Sequence, residues 1–146
     1  MTRSDDPFTG TWTLNREKSS FDPNHSPMAA QMRWERTIDV YQMRAEGQKE
    51  DGQVVVDQAT FILDGRERPV AAAPGFTICC EQPDPNTLRT FGRKDGKVVG
   101  EGLYAVSEDR MTMKATVRGF DTQHRPFQTM RVWDCQQGDC GPSQKT

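Results

Sequence analysis

The chain has 146 residues, 34% of them hydrophobic and 27% charged, with a formal net charge of −2. That length suits one domain able to bury a real core. The balance of charge excludes a basic nucleic-acid footprint, and no apolar run is long enough to span a membrane as a helix.

The first seven residues, Met1-Thr2-Arg3-Ser4-Asp5-Asp6-Pro7, read as a flexible N-terminus and lack the apolar core of a signal peptide. The chain as given is expected in the cytoplasm. The alternative is an exported protein whose signal peptide has been removed. Phe8 to Leu14 then alternates as a strand, with Phe8, Gly10, Trp12 and Leu14 on one face and Thr9, Thr11 and Thr13 on the other. Gly10 inside a strand marks a bend or a close backbone approach, and Trp12 is placed to plug the end of a barrel. Asn15 to Ala30 carries two prolines and reads as loop, with one short helical turn at Arg16 to Ser19.

Ala30 to Met43 is the longest strand signal, with Met32, Trp34, Arg36, Ile38 and Val40 facing inward. An inward guanidinium needs a counter-charge. Arg36 therefore meets either a ligand anion or, at the strand end, Glu101 or another acid. Residues 44–52 read as a polar hairpin region. Strands follow over residues 53–63, 66–70, 76–81, 87–94, 97–106, 110–118 and 126–134, with tight turns at Asp64-Gly65 and Asp95-Gly96. The domain spans residues 8–134, and residues 135–146 form a polar tail. Strands at this spacing, joined by short turns, predict an all-β fold with little helix: a single up-and-down antiparallel β-barrel of about 8–10 strands. Closure pairs the last strand with the first.

Two motifs carry a resemblance. Phe8-x-Gly10-x-Trp12-x-Leu14-Asn15, followed by Lys18-Ser19 and Phe21, resembles the opening of the calycin superfamily, which includes the lipocalins and the intracellular fatty-acid-binding proteins. The closer likeness is to bacterial lipocalin-like domains. Thr129-Met130-Arg131-Val132-Trp133 is similar to the terminal strand of the fatty-acid-binding proteins, where an Arg-x-Tyr pair stands; here the Tyr is a Trp. The resemblance implies a small apolar or amphipathic ligand inside the barrel. In it, Arg131 either pairs with a ligand carboxylate or stacks on Trp12 to close the barrel floor together with Gly10. The structural role is the preferred one of the two. The interval after the first strand is too short for the helical lid of the fatty-acid-binding proteins, so the portal is expected to be more open.

The ligand-binding residues expected are Trp34, Arg36, Met113, Phe127, Arg131 and Trp133. An enzymatic alternative, an isomerase, cyclase or hydratase, would use Glu101 as general base with Tyr104 or an Arg; these two residues lie on opposite faces of one strand. A second alternative is a filled barrel acting through a partner surface. No phosphate loop, nucleophile elbow or dinucleotide fingerprint is present. His25 and His124 both lie in loops. Cys79, Cys80, Cys135 and Cys140 lack zinc-ribbon spacing, so no metal and no cofactor is expected. Cys135 and Cys140 are spaced to close a small disulfide loop. The assembly is read as a monomer or homodimer.

Overall fold

The computed structural model describes residues 6–20, 29–48, 52–70, 74–120 and 124–136. Ten strands run in order: β1 (Gly10–Ser20), β2 (Ala29–Thr37), β3 (Val40–Gln48), β4 (Val54–Ile62), β5 (Arg68–Pro69), β6 (Phe76–Asp84), β7 (Thr87–Lys94), β8 (Lys97–Val106), β9 (Thr112–Phe120) and β10 (Pro126–Cys135). They form one antiparallel sheet in the order β4-β3-β2-β1-β10-β9-β8-β7-β6-β5. Every pair adjacent in sequence is adjacent in the sheet except β4 and β5, which stand at its two ends, and β10 joins β1. The expected meander and its expected closure are both present. No helix occurs among the described residues.

The sheet curls into a half-barrel whose two ends meet at a seam between β4 and β6. The backbone bridges this seam where Gly65 N–H donates to the Cys80 carbonyl at 2.9 Å. Otherwise side chains span it. Gln82 of β6 accepts from Arg36 at 3.2 Å and donates to the Tyr41 hydroxyl at 3.1 Å.

Three local expectations are corrected. The single strand expected over Ala30 to Met43 is two strands joined by a turn at Ile38-Asp39. Ile38 sits in the left-handed region at φ 54 and is 85% exposed. A β-branched residue is a poor signal for such a turn, so periodicity ran straight through it. The helical turn expected at Arg16 to Ser19 is instead the far half of β1. There the pairing with β10 shifts register between Asn15 and Ser20, and Asn15 Oδ1 accepts from Lys18 N–H at 3.1 Å. The polar hairpin expected over residues 44–52 is present, with Gln48 opposite Val54, but its first half is strand, because β3 runs on to Gln48.

The core lies at the end of the curl where β1 begins. Phe8, Trp12, Trp34 and Tyr41 are fully buried, and Phe61 is nearly so. Trp34 is the hub. Its ring centroid lies 5.4 Å from Phe8, 5.6 Å from Tyr41, 5.5 Å from Phe61 and 5.7 Å from Tyr104. The Trp12 indole N–H donates to the Phe8 carbonyl at 2.9 Å, which satisfies its one polar atom. Gly10 precedes it at φ 137, a backbone conformation that side chains disfavour, and pairs directly with Trp34. Truncating one such aromatic to alanine costs roughly 3–5 kcal/mol, so a lean chain concentrates its stability in this plug.

Candidate ligand-binding site

Alternation along each strand fixes what faces the inside of the curl, and register lines these residues up in rows. The deepest row runs Leu14, Trp133, Met113 and Val106 across β1, β10, β9 and β8. Next comes Arg131, Ala115, Tyr104 and Leu88. Above it stands Thr129, Val117, Gly102, Thr90 and Cys80. Nearest the mouth is Phe127, Gly119, Gly100, Gly92 and Ile78.

The polar groups gather in the middle rows, directly above the aromatic plug. Arg131 is half-buried, and among the described residues no carboxylate pairs with it. Its Nε is enclosed and has no hydrogen-bond partner. The Thr129 hydroxyl, on a residue only 2% exposed, has none either. Burial lowers the affinity of the Arg131 guanidinium for its proton, and the neighbouring Tyr104 partly offsets this. Burial likewise raises the Tyr104 phenol above its ordinary value, against the pull of Arg131. The pair is therefore a neutral phenol beside a cation. Burial and the adjacent Cys79 hold the Cys80 thiol protonated, with its pKa raised to about 11. Together these groups offer hydrogen-bond donors and one positive charge, and no inward carboxylate.

The expected site residues divide on this geometry. Arg131 and Tyr104 come together, with Phe127 two rows above Arg131 on the same face of β10. Trp34, Met113 and Trp133 are buried at 0%, 0% and 3% exposure and belong to the plug and its floor. Arg36 does not reach the interior. It stands at the end of β2, where its Nε donates to the Ile38 carbonyl at 2.6 Å and Nη1 to Asp6 Oδ1 at 3.0 Å. The acid near the strand end is thus Asp6, not Glu101. Arg36 also lies over the Tyr41 ring, 5.1 Å from its centroid. The expected stack of Arg131 on Trp12 is absent from the cation–π contacts of the described residues. The cation at the closed end is Arg36. Glu101 points to the outer face, where it takes a two-pronged contact from Arg118, at 3.2 Å from Nε and 2.9 Å from Nη2. The inward residue of β8 is Tyr104, so Glu101 has no access to the interior as a base.

Sequence reasoning missed Asp6, Tyr41, Gln82 and Thr129. Asp6 fell in the stretch read as flexible. Its Oδ2 accepts from the Phe8 and Thr9 backbone N–H groups, each at 3.1 Å, and Oδ1 accepts from Tyr41. The Asp-Pro-Phe-Thr string was the available signal, since Asp readily caps the backbone two or three residues on. Thr129 was legible as an inward position from its alternation with Arg131.

Two clefts of about 550 and 510 Å³ lie along β7–β10 and share Glu101, Arg118 and Gln128; the first also touches Gly100, Gly119 and Phe127 of the row nearest the mouth. Cys79 and Cys80 are buried free thiols on opposite faces. Cys135 is disulfide-bonded. Its expected partner Cys140 lies outside the described residues. Among the described residues no cluster suits a metal ion, and no helix is long and apolar enough to cross a membrane.

The sequence matches no protein-family model and no curated protein. Solved structures do match. The fluorescent protein UnaG superposes with a TM-score of 0.63 at 14% identity, over 91% of this chain and 100% of its own. The zebrafish ileal bile acid-binding protein, solved with cholic acid, gives 0.55 at 11% identity over 89% and 99%. As-p18, an extracellular fatty acid binding protein, gives 0.52 at 16% identity over 90% and 97%. Strand number, meander order and these superpositions agree that the chain has the calycin fold in its ten-stranded, fatty-acid-binding-protein form.

Proposed function

We propose that the protein binds a small amphipathic molecule inside the curl of the sheet, with an anionic or strongly accepting group held by Arg131. The observation that carries this reading is the unpartnered Arg131 guanidinium, flanked by Tyr104 and by the unpartnered Thr129 hydroxyl. A buried cation without a counter-charge is costly to keep. A carboxylate supplies the missing charge and accepts from guanidinium, phenol and hydroxyl together. The apolar body of the ligand then lies above the aromatic plug, toward Phe127 and the mouth. Two of the matching structures are named for bile-acid and fatty-acid binding, which supports the same class of ligand. The disulfide at Cys135 supports the exported alternative for the compartment, because such bonds persist in oxidising surroundings.

The test is titration with a carboxylic acid and with the alcohol of the same carbon skeleton, followed by intrinsic Trp fluorescence. The acid is expected to bind tighter than the alcohol. Arg131→Met is expected to weaken the acid by about tenfold to a hundredfold, the worth of a charge-assisted hydrogen-bonded pair, and to leave the alcohol nearly unchanged. Equal loss for both compounds, or no loss, removes Arg131 from the site.

A further inference from the structure

The row nearest the mouth has an unusual composition. Gly119, Gly100 and Gly92 are direct partners on β9, β8 and β7, with Phe127 at one end on β10 and Ile78 at the other on β6. The inner face of the sheet there is bare backbone for three neighbouring strands, about 10 Å from the first glycine to the third. The space over two of them is empty. A Cβ at Gly100 would meet only the Arg118 carbonyl oxygen, at 3.7 Å, and one at Gly92 only the Gly100 carbonyl oxygen, at 4.0 Å. Neither position needs glycine for its backbone conformation, since positive φ occurs at Gly10, Gly52, Gly65, Gly75 and Gly96 instead. Gly119 differs. A Cβ there would lie 2.4 Å from the Val99 carbonyl oxygen, so close strand packing explains it. Folding thus accounts for Gly119 and leaves Gly92 and Gly100 unexplained.

A second observation points to a ligand over this shelf. Thr129, two residues from Phe127 on the same face of β10, is 2% exposed and its hydroxyl has no partner. The enclosed Arg131 Nε lies one row further in. An unfilled flat floor, the unpartnered Thr129 hydroxyl and the enclosed Arg131 Nε therefore occupy three successive rows of one concave face.

The geometry points to a flat, rigid, ring-fused acid as the ligand: its acidic group reaches Arg131 and Thr129, and its rings lie on the Gly92–Gly100 shelf between Phe127 and Ile78. This rests on the binding reading above and narrows it. Flat rings approach a backbone floor evenly across neighbouring strands, whereas a flexible chain threads equally well past small side chains. The aromatic plug adds a depth limit. Phe8, Trp34 and Tyr41 are fully buried, so a long chain has nowhere to descend below Arg131. The shelf lies one row from Thr129 and two rows from Arg131, roughly 13 Å along the strand from the latter. A three-ring acid, helped by the reach of the Arg131 side chain, spans that interval.

The experiment compares anthracene-2-carboxylate with pentadecanoate, which has the same number of carbons, on four proteins: wild type, Gly92→Ala/Gly100→Ala, Arg131→Met and Gly119→Ala. Circular dichroism checks the fold of each. The paired alanines are expected to fold normally, to weaken the anthracene acid by about tenfold, and to change pentadecanoate by less than about threefold. Arg131→Met is expected to weaken both acids. If the paired alanines leave the anthracene acid unaffected, or weaken both acids alike, the shelf is not the ring platform, and the Arg131 result still decides the broader reading. If neither acid binds wild type, both inferences fall together. If the paired alanines lose stability as Gly119→Ala is expected to, the glycines serve packing and the proposal is wrong.

Discussion

Gln82 on β6 and Tyr41 on β3 are joined by a hydrogen bond of 3.1 Å across the seam between the two ends of the sheet. Arg36 and Asp6 complete the cluster. Arg36 donates to Gln82, Tyr41 and Asp6, and Tyr41 donates to Asp6. The cluster lies beside the aromatic plug, so the half-barrel is pinned at its closed end and left free at its mouth. Stability and ligand access are thereby assigned to opposite ends of the same strands.

Removing a member of this cluster should loosen the seam. Asp6→Asn keeps the shape but takes the negative charge from Arg36. It also puts a donor where acceptors are needed. A loss of roughly 1–3 kcal/mol is expected, the scale for a partly buried charged hydrogen-bond partner. Gln82→Leu should cost about 1 kcal/mol. The two losses should couple in a double-mutant cycle, because both residues meet Arg36 and Tyr41. Urea unfolding of the four proteins measures this. Strictly additive losses would mean the cluster does not act as a unit.

Alkaline pH should destabilise the protein earlier than its tyrosines alone would. Burial raises the Cys80 pKa from 9.0 to about 11. The folded form then holds its proton where the unfolded form has lost it. Stability is fully present below about pH 9 and falls as pH rises toward 11, by up to roughly 2–3 kcal/mol. Tyr41 and Tyr104 are raised too, both chiefly by burial, so the decline continues above pH 10 with the same sign. Urea midpoints between pH 8 and 10 check the first part. Cys80→Ala should flatten that limb, even if the smaller side chain lowers stability at every pH. A limb unchanged in Cys80→Ala would place the effect elsewhere.

Gly119→Ala should be the most damaging of the inner-face glycine substitutions. The added methyl meets backbone at 2.4 Å from the Val99 oxygen and 2.9 Å from the Gly100 Cα, so strands β8 and β9 must separate. A loss of about 1–3 kcal/mol is the usual scale of overpacking. Gly92→Ala meets nothing closer than 4.0 Å and should be near neutral or mildly stabilising, since glycine weakens a strand interior. Thermal melts of the two variants distinguish them directly.

Much of the fold was legible because alternation and turn chemistry act locally. Asp64-Gly65 and Asp95-Gly96 mark their turns by residue type, and Gly65, Asp95 and Gly96 do take positive φ. Strands β7 and β8 lie where alternation put them. Ile38-Asp39 was illegible because a β-branched residue entered a left-handed turn, held by one local and one distant contact: Arg36 donates to the Ile38 carbonyl, and Leu63 N–H donates to the Asp39 carbonyl at 2.9 Å. The fate of each arginine was equally non-local. Arg36 and Arg131 both alternate with apolar neighbours. Only the folded sheet brings Asp6 to the first and, among the described residues, leaves the second without a carboxylate. Glu101 and Tyr104 shared a strand whose inward face periodicity did not choose; the Arg118 partner on β9 decides it.

Arg131 offers the sharpest separation between a floor residue and a ligand contact, through the stability of the empty protein. A guanidinium that closes the barrel end contributes to stability, and its removal costs. One held for a ligand is a half-buried charge with an unpartnered nitrogen, which the empty protein tolerates at a cost. Met is close to the Arg stem in length and needs no hydrogen bonds, so Arg131→Met should keep the packing and remove the penalty. The empty variant is expected to be as stable as wild type or more stable by about 1–2 kcal/mol, as trade-offs at binding sites commonly are. The order should invert with a saturating carboxylate, which stabilises wild type by mass action and the variant little. Urea unfolding with and without the acid shows both arms. A variant that loses more than about 1 kcal/mol when empty would return Arg131 to the framework of the barrel, and the carboxylate would need another partner.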